Sequence, residues 1–73
     1  MTQTQTYALV MYSLSYITLN TPYYTAQLYS IYLSNQSAVD AIVNNPTQLG
    51  SVIQQYQQYL TQITILDPDA TWG

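Results

Sequence analysis

The 73-residue chain contains no lysine, no arginine and no histidine. Average usage would supply about nine basic side chains in this length. The only fixed positive charge is the terminal amine. The acidic side chains are Asp40, Asp67 and Asp69, giving a net charge of −3. Without cations, nothing neutralises phosphates and releases their counterions, which argues against nucleic-acid binding. Attraction to anionic lipid headgroups lacks the same ingredient, and side-chain salt bridges cannot form. Cysteine is absent too, so disulfides are impossible. Together with the missing histidine, this removes the usual structural zinc sites.

The same absences restrict catalysis. A Ser or Thr nucleophile has no His or Lys to act as its base. Acid–base work would fall to Asp, Tyr or the termini. Glycine occurs only at Gly50 and Gly73, so there is no glycine-rich phosphate loop. Asp67-Pro68-Asp69 places two carboxylates two residues apart, a pair that divalent cations use. It lacks the further acidic and Gly positions of a calcium loop and reads as a proline turn. The expectation is a non-enzymatic protein with no cofactor and no metal.

A chain this short buries only about 60% of the surface its unfolded form exposes. With disulfides and zinc excluded, self-association or docking into a larger assembly is the remaining common remedy. Few titratable groups also mean little stability lost to acid. A secretory signal wants a basic start, and Met1-Thr-Gln-Thr-Gln-Thr offers none. The most apolar stretch, Tyr7–Leu19, is 13 residues long and interrupted by Ser13, Ser15 and Thr18, against about 20 needed to span a bilayer. A buried helix is the favoured reading. Contact with a membrane, its flanking Tyr residues at the interface, is the lesser one.

Hydrophobic spacing divides the chain into helical segments between an N-terminal arm, residues 1–6, and a C-terminal tail, residues 64–73. The first helix is expected over Thr6–Leu19, with Tyr7, Val10, Met11, Leu14 and Ile17 at helical intervals. A second stripe (Leu9, Tyr12, Tyr16, Leu19) means that this helix is surrounded by others. The competing reading of the segment is a strand, because Thr, Tyr, Val and Ile favour sheets. Thr21 as cap and Pro22 at the first helical position predict a second helix over Pro22–Ser34. Ser37 is the expected cap of a short third helix, Ala38–Asn44, with Asp40 in its first turn, where the dipole favours negative charge. Asn44-Asn45-Pro46 stops it. The clearest element is Thr47–Gln62, where Leu49, Val52, Ile53, Tyr56, Tyr59, Leu60 and Ile63 share one side and glutamines occupy the other. Gly50 in its first turn costs about 1 kcal/mol of helix propensity, which close packing against a neighbour would explain. The expected fold is all-α: a small antiparallel bundle of three or four helices with extended termini, completed by oligomerisation.

The strongest positive feature is the set of nine tyrosines. Tyr combines a large apolar face with a hydroxyl at home near water or at an interface. One short domain cannot bury so many rings fully, so many are expected at subunit contacts. The alternatives are a core that uses Tyr in place of Phe and a stacking platform for sugars; base stacking normally accompanies a basic groove, which is missing. Trp72 would serve as an anchor, since buried Trp residues are hot spots of interfaces. The candidate contact residues are Tyr12, Tyr16, Tyr24, Tyr29, Tyr32, Leu49, Val52, Ile53, Tyr56, Leu60 and Trp72.

The bias toward Tyr, Thr, Gln, Ser and Asn with almost no charge resembles the surface and virion structural proteins of acidophilic hyperthermophilic archaea and their viruses. The resemblance is one of composition along the whole chain. It implies a structural subunit at a virion or cell surface, outside the cell. The reading that follows is a subunit that packs into a shell, surface layer or filament, its partners being copies of itself or other structural proteins. The other readings are a helical adaptor that receives a partner on the apolar face of Thr47–Gln62, and a small membrane-associated protein using Tyr7–Leu19.

Overall fold

In a computed structural model, the described residues are 1–19 and 23–63. They form four α-helices and a closing 3₁₀ turn: α1 (Gln3–Ser13), α2 (Thr25–Ser34), α3 (Gln36–Val43), α4 (Pro46–Tyr56) and η1 (Gln57–Gln62). No strand element occurs among the described residues, which settles Tyr7–Ser13 as helix. The radius of gyration, 10.9 Å, matches the ~11 Å of a compact chain of this length.

The expected arm is instead the start of α1. Thr2 and Gln5 form a reciprocal capping box: the Thr2 hydroxyl accepts from the Gln5 amide at 3.1 Å, and the Gln5 side-chain carbonyl accepts from the Thr2 amide at 2.8 Å. Two of the orphan donors of the first turn are thereby satisfied. The helix also ends earlier than expected, at Ser13 rather than Leu19. The Ser15 amide donates to the Tyr12 carbonyl and the Tyr16 amide to the Met11 carbonyl, both at 2.9 Å, while Ser15 adopts φ 64°. This is a Schellman stop with serine where glycine is the usual residue. A side chain in that conformation costs about 1 kcal/mol or more relative to glycine.

α1 is the central element and packs against α2, α3, α4 and η1. Its four consecutive residues Ala8, Leu9, Val10 and Met11 are fully buried, as a helix apolar on two sides requires. Full burial of Leu9, Val10 or Met11 stabilises the fold by about 1.5–3 kcal/mol each. Around them sit Leu28 of α2, Val39 of α3, and Ile17, Tyr23 and Ile63 from the connecting and closing segments.

α2 begins at Thr25 rather than Pro22. Tyr24 is extended (φ −77°, ψ 151°), and the hydroxyl of buried Tyr23 accepts from the Thr18 amide at 3.4 Å. The chain is thus held out of helical geometry until Thr25. The break before α3 is a single residue, Asn35, whose side-chain amide donates to the Ile31 carbonyl at 2.9 Å. α3 therefore starts at Gln36, and Ser37 is not its cap. Asp40 lies beyond the first turn, correcting the dipole assignment. Asn45 caps α4, its side-chain oxygen accepting from the Thr47 and Gln48 amides at 3.1 Å each, with Pro46 in the first turn. α4 does not run unbroken to Gln62 but tightens into η1 after Tyr56. Among the described residues no neighbouring atom lies within 4 Å of where a Gly50 Cβ would stand, so close packing against them does not explain that glycine.

Candidate functional site

The tyrosines segregate into two internal clusters, the separately buried Tyr23, and the exposed Tyr16 and Tyr24. Tyr7 and Tyr12 are five residues apart on α1, hence rotated by about 140°, and they face different neighbours. Tyr7 meets Tyr32 of α2 edge-on, with ring centres 5.0 Å apart, and Tyr29 lies 5.9 Å from Tyr32. Tyr12 meets Tyr56 edge-on at 5.5 Å and Tyr59 at 5.4 Å. Tyr56 and Tyr59 are themselves 6.1 Å apart. The switch to 3₁₀ geometry produces this second cluster, because residues three apart then stand over one another and both rings reach Tyr12.

The Tyr32 hydroxyl donates to Asp40 across the α2–α3 junction, 2.8 Å from one carboxylate oxygen and 3.0 Å from the other. Burial, followed by the hydrogen bond to Asp40 and the charge of that carboxylate, pushes the Tyr32 phenol up to about 12. In a chain without cations, a phenol takes the place of the missing base as the carboxylate's partner.

These contacts redistribute the candidate residues. Tyr32 is 9% exposed and belongs to the chain's own core. Tyr12, Tyr29, Leu49, Val52, Tyr56 and Leu60 are half-buried against that core. Ile53 is half-buried. The apolar face of α4 thus packs against the core, with none of its residues fully buried. Tyr24 and Tyr16 reach the surface, at 62% and 36% exposure. Trp72 and the Asp67/Asp69 pair lie outside the described residues. No helix among the described residues is long and apolar enough to cross a membrane.

Two exposed residues escaped the sequence reading: Leu33, 49% exposed, and Met1, 57% exposed. Leu33 and Tyr16 line a shallow groove of about 430 Å³ with Ser34, Asn35, Gln36, Ser37 and Ala38. Tyr24 stands just before α2 and Leu33 in its last turn. The molecule therefore presents exposed apolar side chains at both ends of α2. Gln48, Gln54, Gln55, Gln57, Gln58 and Gln62 form a neutral exposed surface along α4 and η1.

A larger cleft, about 540 Å³, opens where α1 ends. It is lined by Tyr12, Ser13, Ser15, Ile17, Thr18, Leu19, Tyr56 and Gln62. Among the described residues its walls carry two phenol rings, three hydroxyls and an amide, with no charged side chain. The Ser13 hydroxyl donates to the Val10 carbonyl at 2.7 Å.

No family model, curated protein or solved structure matches the chain.

Proposed function

We propose that the protein is a non-enzymatic structural subunit that self-associates, packing into a shell, surface layer or filament at a virion or cell surface. The observation that carries this reading is the exposure of Tyr24 and Leu33 at the two ends of α2 in a chain with no cationic side chain. Apolar groups at two separate places suit head-to-tail contacts, in which one end of a copy meets the other end of the next. Such contacts close into rings or continue as open polymers. Tyr24 of one copy would enter the Tyr16–Leu33 groove of another, with apolar burial contributing roughly 25 cal/mol per Å². The glutamine surface supplies neutral hydrogen bonds, and the scarcity of charge limits repulsion between identical subunits. Within each subunit we read neighbouring helices as antiparallel. The reading rests on short connections, one residue between α2 and α3 and two between α3 and α4, which favour that arrangement. Copies of the same chain then complete the bundle.

Size-exclusion chromatography with light scattering tests the proposal. The wild-type chain is expected to elute as a species well above its 8.3 kDa monomer mass. Tyr24→Ser and Leu33→Ser are each expected to return it to monomer, with the helical circular dichroism retained. A wild-type chain that stays monomeric as concentration rises would overturn the reading.

A further inference from the structure

We infer that the cleft at the end of α1 binds a neutral polyhydroxylated ligand, of the size of one or two hexopyranose units. Three independent observations converge on it. Its volume, about 540 Å³, falls within the range of small-molecule sites, roughly 300–1,000 Å³. Its lining pairs the rings of Tyr12 and Tyr56 with the hydroxyls of Ser13, Ser15 and Thr18 and the amide of Gln62. Aromatic faces match the apolar face of a pyranose; the Ser15 and Thr18 hydroxyls and the Gln62 amide both donate and accept, while Ser13, whose proton goes to the Val10 carbonyl, accepts. The third observation is Ser15 itself. It is the one non-glycine residue with positive φ among the described residues, at a helix stop where glycine fits without strain. Among those residues no hydrogen bond of its side chain offsets that strain, and strained backbone of this kind concentrates at binding sites. Ser15 lines the cleft and is exposed, and a ligand that takes up its hydroxyl explains why serine stands there.

The lining also sets the ligand's charge. With no Lys, Arg or His anywhere in the chain, a phosphate or carboxylate entering the cleft would lose water without gaining a cation partner. The site thus selects uncharged sugars over their phosphorylated forms. It is separate from the Tyr24 and Leu33 surfaces, so the two proposals stand or fall independently.

Saturation-transfer NMR tests this on monomer and assembly alike, with methyl β-glucopyranoside, methyl α-mannopyranoside, methyl β-galactopyranoside and glucose 6-phosphate as probes. At least one neutral glycoside is expected to bind with a dissociation constant of about 1 mM, and glucose 6-phosphate more weakly. Ser15→Gly is expected to raise the thermal midpoint while weakening glycoside binding about five-fold, the effect of one neutral hydrogen bond. Ser15→Ala, which keeps the strain and loses only the hydroxyl, is expected to weaken binding equally without the stability gain. Tyr24→Ser is expected to leave binding unchanged. Absence of saturable transfer to all three glycosides, binding unaltered by both Ser15 variants, or equal binding of glucose 6-phosphate would each overturn the inference.

Discussion

Replacing Tyr32 with Phe removes the phenol hydroxyl that a cation-free chain uses to hold a carboxylate. The ring remains, so its packing against Tyr7 at 5.0 Å and Tyr29 at 5.9 Å is preserved. What disappears is a hydroxyl that is 2.8 and 3.0 Å from the two oxygens of Asp40 and is also hydrogen-bonded with the Gln36 side chain. Hydrogen bonds to charged groups contribute about 1.5–3 kcal/mol. Asp40 is half-buried, so water recovers part of that loss, and about 2 kcal/mol is the expected cost. For a domain of this size each kcal/mol shifts the midpoint by about 4–8 °C, so Tyr32→Phe should lower the thermal midpoint by roughly 8–16 °C. Urea and thermal unfolding followed by circular dichroism at pH 7 read this directly. A double-mutant cycle with Asp40→Asn assigns the loss to the pair rather than to either residue alone. A Tyr32→Phe variant within about 0.5 kcal/mol of wild type, well under the charged-bond range, would refute the claim that this contact ties α2 to α3.

Three further outcomes follow from the same structure. The unfolded chain releases the Tyr32 proton near pH 10, whereas the folded chain holds it to about 12. The stability from this group is therefore complete below pH 10 and declines as pH rises through 12; comparing wild type with Tyr32→Phe in alkaline urea melts isolates it from the other tyrosines. Gly50→Ala, with open space for the added carbon, is expected to stabilise the isolated chain by about 1 kcal/mol; a loss in the urea midpoint would show that the glycine serves a contact. Thr4 is fully buried with a hydroxyl that has no partner among the described residues, so Thr4→Val should stabilise by about 1–2 kcal/mol through removing an unmet polar group; a destabilised variant in the same melt would reveal a partner for that hydroxyl.

The sequence carried the existence of the helices and the central position of the first one, because the two apolar stripes of α1 leave it no solvent side. The last helix was expected from Thr47 and begins at Pro46; Asn45-Pro46, read as the stop of the preceding helix, is also the cap and first-turn residue of α4. The capping box was legible as Thr2 and Gln5 but lay hidden in a low-complexity Thr/Gln run. The stop at Ser15 carried no local signal, because the usual marker, glycine, is absent and the apolar period continues past it to Leu19. The partition of the tyrosines was the least accessible part. Period alone places Tyr12, Tyr32 and Tyr56 on apolar faces, but whether those faces meet within the chain depends on where the helices break. The 3₁₀ turn that brings Tyr59 over Tyr56 decides it for one cluster, and the single-residue break at Asn35 decides it for the other. Leu33 follows Tyr29 by four residues and so shares its side of α2, yet Tyr29 packs against the core while Leu33 is exposed, a difference that spacing does not reveal.

The central claim is that copies of this chain associate through apolar and phenolic surface without ion pairs. Sedimentation velocity at low salt and at 1 M NaCl, where screening acts within about 3 Å, tests it most directly. The account predicts oligomers at both ionic strengths with no loss at the higher one. Dissociation to the 8.3 kDa species in 1 M NaCl, or a monomer under both conditions, would contradict it.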